Sequence, residues 1–158
     1  MRTLFLALAL LSTACMPQVA DVAHAGGASQ PTAGGTLNVD GRGVAVHGYD
    51  VVAYFEGGQP AKGSAEHVVQ HEGATFRFAT AEHATAFRKD PARYVPQFGG
   101  YCAWAVSQGY TADADPEVWA VVDGKLYLNY NRKIGERWSA DKEALIAKAQ
   151  ANWPAVIR

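Results

Sequence analysis

A chain of 158 residues with 49% hydrophobic and 18% charged residues is long enough to bury a core and lacks the composition of a disordered protein. Its 14 basic and 15 acidic side chains give a formal net charge of -1. This balance argues against a nucleic-acid partner and against electrostatic docking on an anionic membrane, because both favour a basic surface. The composition therefore favours a small ligand that is either uncharged or a metal ion.

The N-terminal residues predict export. Residues 4–11 form an apolar run that is too short to span a bilayer but is typical of a secretory signal. The small-x-small pattern at residues 23–25 predicts cleavage before Gly26. Residues 12–15 instead resemble a lipoprotein signal, which would leave a lipid on Cys15. Both alternatives predict a periplasmic or extracellular protein, and the second adds a membrane anchor at Cys15.

Domain boundaries follow from composition. Residues 1–25 are the predicted signal peptide, residues 26–36 are a small-residue linker rich in glycine, and residues 37–158 form the folded domain. Because Cys15 is either removed or lipidated, Cys102 is the lone thiol of the mature chain. An unpaired thiol in an exported protein indicates reactivity, metal binding or intermolecular pairing, although a buried cysteine can also act as a small hydrophobe.

The first half of the domain predicts a short helix, a hairpin and a second helix. Asp50 is a candidate N-cap for a helix through Phe55, although the valines that follow it also suit a strand. Alternating residues on both sides of a Glu-Gly turn predict a hairpin over residues 67–78, with Phe76 and Phe78 on its buried face. Thr80 then caps a helix over residues 81–88.

The second half places Cys102 before another hairpin. Residues 98–106 have small and large apolar residues around Cys102 and predict a buried segment, and Gly99 and Gly100 permit a tight turn or a close approach to something bound. An Asp-Gly turn predicts a hairpin over residues 118–130. Two helices follow, over residues 132–138 and 141–152. Hairpins interleaved with helices predict a single small α+β domain.

The candidate chemical residues are few. His67 and His71 lie on one strand face about 13 Å apart, too far to share a metal, and are expected on the open face. His83 shares a helix face with Phe87 and therefore points inward or into a cleft. His47 lies in a loop before a Gly-Tyr-Asp sequence.

Cys102 and His83 form the most compact combination of a soft ligand or nucleophile with a base. An imidazolium beside a thiol favours the thiolate, which is both the nucleophile and the metal ligand. The same pair therefore suits redox chemistry or metal capture. Tyr101, Trp104 and Tyr110 are candidates for the wall of a pocket around the thiol.

Several spaced motifs resemble the exported branch of the YHS-domain family. They are the stretches at residues 48–55, 73–94, 99–102, 123–131 and 152–154. The resemblance implies an α+β module similar to TRASH-type metal-binding domains, with a C-terminal helical extension. In cysteine-rich members, cysteines stand at the positions of Ala53, Ala79 and His83. Some members of the exported branch resemble selenoproteins, with selenocysteine at the position of Cys102, which implies chemistry at that residue.

Three functions follow from these observations. The first is a metal-binding module in which Cys102, His83 and His47 hold copper or zinc in an open site. The second is a redox protein in which Cys102 reacts with a peroxide or a small thiol and an external thiol restores it. The third is a structural or interaction domain with an inert cysteine. The sequence leaves open whether the protein is an enzyme.

Overall fold

The computed structural model describes residues 36–157. The predicted signal peptide, the lipid anchor at Cys15 and nearly all of the predicted linker lie outside the described residues. Within them the chain is an α+β domain with two antiparallel hairpins, as predicted, and six helices, of which four were predicted. The strands are β1 (Ser64–His71), β2 (Ala74–Phe78), β3 (Asp115–Val122) and β4 (Lys125–Asn129). The helices are α1 (Ala53–Glu56), α2 (Ala81–Lys89), α3 (Pro91–Tyr94), α4 (Ala103–Ser107), α5 (Arg132–Ala140) and α6 (Lys142–Asn152).

The first hairpin has the predicted turn and the predicted buried face. Phe76 and Phe78 of β2 are both almost fully buried against α2. His71 does not lie on the open face, so that expectation is wrong. Its ring stands edge-on to the rings of Phe87 and Phe76, at centroid distances of 5.6 and 6.1 Å. The end of β1 is covered because α2 packs across the hairpin and carries Phe87 there.

The second hairpin lies at the centre of the domain, because β4 separates two hydrophobic clusters. Leu126 and Leu128 belong to the cluster that contains the first hairpin and α2. Tyr127, which points to the opposite face, belongs to the cluster formed with Trp138 of α5 and Leu145 of α6. A strand that is buried on both faces fixes the neighbouring segments firmly, and the segment at Cys102 is one of them.

The segment around Cys102 is a turn that leads into a short helix. Gly99 and Gly100 have φ values of 62° and 84°, which glycine adopts without strain. The close approach predicted at these glycines is made to the chain itself, because a Cβ on Gly99 would lie 1.8 Å from the carbonyl oxygen of Thr36. The turn places Cys102 at the N-cap of α4, with 1% of its surface exposed.

Replacing Gly63 by alanine is expected to lower the free energy of unfolding by about 1–3 kcal/mol, the range for overpacking. A Cβ at this position would lie 2.4 Å from the backbone carbonyl carbon of Arg77, which cannot move without distorting β2. Gly41→Ala is the matched control, since a Cβ there meets nothing within 4 Å. Urea denaturation of both variants checks the prediction, and equal stability of the two would contradict it.

Candidate thiol site

Cys102 is fixed by its backbone between α4 and β4. Its N–H donates to the carbonyl oxygen of Ala112 at 2.9 Å, and it forms an isolated parallel bridge with Leu128. Its carbonyl oxygen accepts from the N–H of Val106 at 3.1 Å in the first turn of α4. Both neighbouring elements therefore determine where the sulfur lies.

The sulfur of Cys102 has two polar neighbours. The backbone N–H of Tyr130 donates to Sγ at 3.3 Å. The side-chain oxygen of Asn129 lies 3.8 Å from Sγ and can accept from the thiol, and it also accepts the N–H of Trp104 at 3.2 Å. The sulfur therefore has one donor and one acceptor close to it.

The side chain of Cys102 also lines a cavity of about 350 Å³. The described residues that form its wall are apolar or aromatic, and none of them is charged. They are Cys102, Trp104, Ala105, Tyr110, Ala112, Tyr130 and Ile134. Tyr110 and Tyr130 are 47% and 56% exposed, so the cavity is bordered by aromatic side chains that reach solvent. Of the three aromatic residues predicted to form a wall, Trp104 and Tyr110 do so, whereas Tyr101 packs towards Trp153.

His83 lies in a different polar group, centred on Asp50. Its Nδ1 is 2.6 Å from Oδ2 of Asp50, and its Nε2 is 3.6 Å from Oε2 of Glu56. Because an ionised carboxylate can only accept, Nδ1 carries the proton of that short hydrogen bond. The distance from Nε2 to Glu56 is too long for a hydrogen bond, so the two groups are near neighbours only.

Asp50 is fully buried and accepts four hydrogen bonds. Oδ1 accepts from the N–H groups of Val52 at 2.9 Å and Ala53 at 3.3 Å, where α1 begins. Oδ2 accepts from the N–H of Ala79 at 2.8 Å in addition to His83. Asp50 was predicted to be the N-cap of this helix, but α1 begins at Ala53 and its N-cap is Val52, so that position is wrong. Asp50 lies two residues before the cap and accepts N–H groups at the start of the helix. The pairing with His83 was missed, because the two residues lie 33 positions apart and no local pattern joins them.

His47 is an exposed residue of a turn and pairs with Asp113. Its Nε2 lies 2.9 Å from Oδ1 of Asp113, and the same oxygen accepts from Nδ2 of Asn38 at 2.7 Å. Burial acts to raise the pKa of Asp113, but hydrogen bonds from Asn38, His47 and Ala114 outweigh it, so the pKa lies below the ordinary 3.8. His47 thus pairs with Asp113 at the surface of the domain.

Acidification is expected to remove the contribution of Asp113 to stability. Since its folded-state pKa is lowered, this contribution is present above 3.8, the ordinary value, and is lost as the pH falls below it. The pair is largely exposed, so the loss should be below about 1 kcal/mol. Urea denaturation of wild type and Asp113→Asn on both sides of that pH measures it. A stability difference that grows on acidification would contradict the prediction.

The predicted site residues therefore lie in three separate polar environments. Among the described residues, Cys102 and His83 share no hydrogen-bond partner, and no histidine there lines the Cys102 cavity. Within residues 36–157, no three His, Cys, Asp or Glu side chains are grouped so that they could hold a metal ion. His47, His83 and Cys102 thus do not form one three-ligand group. These residues therefore cannot form a closed tetrahedral metal site. Each of the three environments can offer one or two ligands to a metal ion.

None of the helices in the described part of the chain is long and apolar enough to cross a membrane. The YHS resemblance and the predicted roles of the site residues stay predictions that rest on the sequence motifs. Comparisons with protein-family models, with curated proteins and with solved structures found no match.

Proposed function

We propose that this chain is an exported YHS-like protein whose Cys102 is a redox thiol that reacts with a small uncharged peroxide. The observation that carries the proposal is the position of the sulfur. It accepts the N–H of Tyr130 and belongs to a side chain on the wall of an apolar cavity of about 350 Å³. The proposed location is the periplasm or the extracellular space.

The surroundings of Cys102 favour this function over an inert cysteine. A cysteine that serves only as a small hydrophobe packs against other side chains on all sides, because protein interiors are close-packed. Cys102 is 1% exposed and packs in the main hydrophobic cluster, but its side chain is also part of a cavity wall, and its sulfur has a backbone donor that can stabilise a thiolate. The exposed rings of Tyr110 and Tyr130 form a hydrophobic border at which an apolar molecule can enter.

The proposed reaction is a two-electron oxidation of the sulfur. The thiol loses its proton to water, and the thiolate attacks the terminal hydroxyl oxygen of the peroxide, so that the S–O bond forms and the O–O bond breaks. The leaving alkoxide takes a proton from water and departs as an alcohol, and Cys102 becomes a sulfenic acid. A small external thiol then condenses with it to a mixed disulfide and releases water. A second thiol molecule restores Cys102 and leaves as the small disulfide, so no second cysteine of the chain is needed.

The cavity lining favours an organic peroxide over hydrogen peroxide. Apolar walls and the rings of Trp104, Tyr110 and Tyr130 bind a hydrocarbon group by the hydrophobic effect, whereas hydrogen peroxide gains nothing from them. The absence of a charged side chain among the described lining residues also disfavours a charged substrate, since its desolvation would be uncompensated.

The experiment is a sulfenic-acid trapping assay on the chelator-treated protein. Cumene hydroperoxide and hydrogen peroxide are compared, and the sulfenic acid is captured by dimedone and located by peptide mass spectrometry. We expect the adduct on Cys102, formed at least about tenfold faster with cumene hydroperoxide, because burying its ring contributes more than 1.4 kcal/mol. Cys102→Ser is the negative control. Failure of Cys102 to form the adduct with either peroxide would refute the redox function.

A second candidate, copper or zinc binding, is favoured by the geometry of His83. A carboxylate that holds one imidazole nitrogen and leaves the other free is the usual arrangement behind a metal-binding histidine. Asp50 holds Nδ1 of His83, and Nε2 faces Glu56. With one or two protein ligands, such a site would be open and exchangeable.

Metal content tests this candidate directly. The protein is purified without a tag from cells supplied with copper and zinc, and the bound metal is quantified by mass spectrometry. Near-stoichiometric metal that is lost in both His83→Ala and Cys102→Ser would support a shared site. Loss in His83→Ala alone would place the ion at His83, separate from the thiol. Metal-free wild-type protein would refute metal binding.

A further inference from the structure

A second cavity, of about 510 Å³, lies between β3 and α5. Its lining comes from residues 117–120 of β3, from Asn129 of β4 and from five residues of α5. Gly135 allows the helix to approach the strand closely, since a Cβ there would lie 2.6 Å from Cγ1 of Val118. This cavity plays no part in the thiol chemistry proposed above, and its occupant is inferred independently.

Trp138 gives the cavity a buried donor that lacks an acceptor. The side chain is almost fully buried, and among residues 36–157 no oxygen accepts a hydrogen bond from its Nε1–H. Buried polar groups nearly always have a partner in folded proteins, because an unpaired donor retains its desolvation penalty. Trp138 is also among the lining residues, but its Nε1 is itself covered, so an acceptor in the cavity would reach it only after a small movement of the wall.

Asn129 gives the cavity a second donor. This buried side chain also lines the cavity, and its Oδ1 accepts from the N–H of Trp104 and lies near Sγ of Cys102. A backbone N–H can be accepted only by the amide oxygen, which fixes the orientation of the amide. The amide nitrogen is therefore what Asn129 can offer to a ligand. Two neutral donors favour a ligand oxygen, such as that of a carboxylate.

The charged residues of the cavity have both signs. Arg132, Glu117 and Glu136 are all exposed and all belong to the lining. A simple anion would meet two carboxylates and one guanidinium, whereas a zwitterion can direct its carboxylate to Arg132 and its ammonium group to a glutamate. Electrostatic complementarity of this kind selects between ligands of different charge. Val118 and Ala120 add apolar surface for a small side chain.

We propose that the cavity between β3 and α5 binds a small zwitterion of the amino-acid class. Its carboxylate accepts from Nε1–H of Trp138 and from the amide of Asn129 and pairs with Arg132, and its ammonium group faces Glu136. Cys102 does not line this cavity, and a serine hydroxyl can still donate to Oδ1 of Asn129, so binding should persist in Cys102→Ser. A loss of redox activity and a loss of zwitterion binding can therefore be told apart.

Nuclear magnetic resonance of the ¹⁵N-labelled protein tests the proposal through the indole N–H signals. L-alanine is titrated as the zwitterion, with acetate and methylammonium as single-charge probes. We expect L-alanine alone to shift the Trp138 signal saturably. Arg132→Gln should weaken this binding about tenfold, the size expected for a lost hydrogen bond to a charged group. Arg137→Gln, on the same helix but outside the cavity lining, should leave it unchanged.

Three results would overturn the proposal. They are a Trp138 signal that does not respond to L-alanine, an equal response to acetate, and equal weakening in Arg132→Gln and Arg137→Gln. The first result would mean that water alone occupies the cavity. The Trp138 signal is assigned by its loss in Trp138→Phe. If that variant does not fold, phenylalanine substitutions of the three other tryptophans assign it by exclusion.

Discussion

Replacing Asp50 by asparagine is expected to lower the free energy of unfolding by about 3–5 kcal/mol, the cost of breaking a buried charged network. Each carboxylate oxygen of Asp50 accepts two hydrogen bonds. Asparagine has an NH₂ group in place of one carboxylate oxygen. In either orientation of the amide, this NH₂ group would face two N–H donors that have lost their acceptor. Since Asp50 joins the start of α1 to the end of β2 and to α2, the loss should weaken the packing of all three elements.

Urea denaturation followed by circular dichroism measures this effect. Glu56→Gln is the matched control, because Glu56 also faces His83 but is half-exposed and lies 3.6 Å from Nε2, too far for a hydrogen bond. An exposed pair contributes less than about 1 kcal/mol, so this variant should remain close to wild type. A loss of similar size in the two variants would contradict the central role of Asp50.

Replacing Ala112 by phenylalanine is expected to slow the reaction of Cys102 with cumene hydroperoxide about a hundredfold, which equals a barrier increase of about 2.7 kcal/mol. Ala112 lines the cavity beside the thiol, and its backbone oxygen accepts the N–H of Cys102. A phenyl ring at this position would occupy the space that the peroxide needs. The side-chain change leaves the backbone hydrogen bond in place.

The rate is measured by dimedone trapping under the same conditions for each variant. Ala65→Phe adds the same ring at an exposed position of β1 and should react like wild type. Rates measured after unfolding should be equal in all three proteins, because the cavity no longer exists. If Ala112→Phe reacts as fast as Ala65→Phe in the folded state, the peroxide does not reach Cys102 through this cavity.

The sequence predicted the parts of the fold that depend on local patterns. The Asp-Gly turn between β3 and β4, the Thr80 cap of α2 and the alternation that buries Phe76 and Phe78 all involve residues within a few positions of each other. These patterns place both described hairpins and four helices within a few residues, whereas α3 and α4 were not predicted. The prediction that His71 is exposed was wrong, because it depended on how α2 crosses β1.

The surroundings of the site residues could not be predicted, because they depend on contacts between distant segments. Cys102 was paired with His83 by elimination among the soft ligands. In the folded chain the sulfur is instead approached by Tyr130, which lies 28 positions away, and His83 is held by Asp50, which lies 33 positions away. No spacing rule joins residues over such distances. The sequence singled out Cys102 as a candidate reactive residue, but it could not predict which residues contact the sulfur.

The accessibility of the Cys102 thiol in the folded protein tests the account most directly. The measurement compares its alkylation by N-ethylmaleimide, a small uncharged reagent, in native conditions and in urea, with peptide mass spectrometry to locate the product. We predict that Cys102 is modified in the native state faster than the protein unfolds, because the side chain lines the cavity. Modification that occurs only at the rate of global unfolding would show that Cys102 is an inert part of the core.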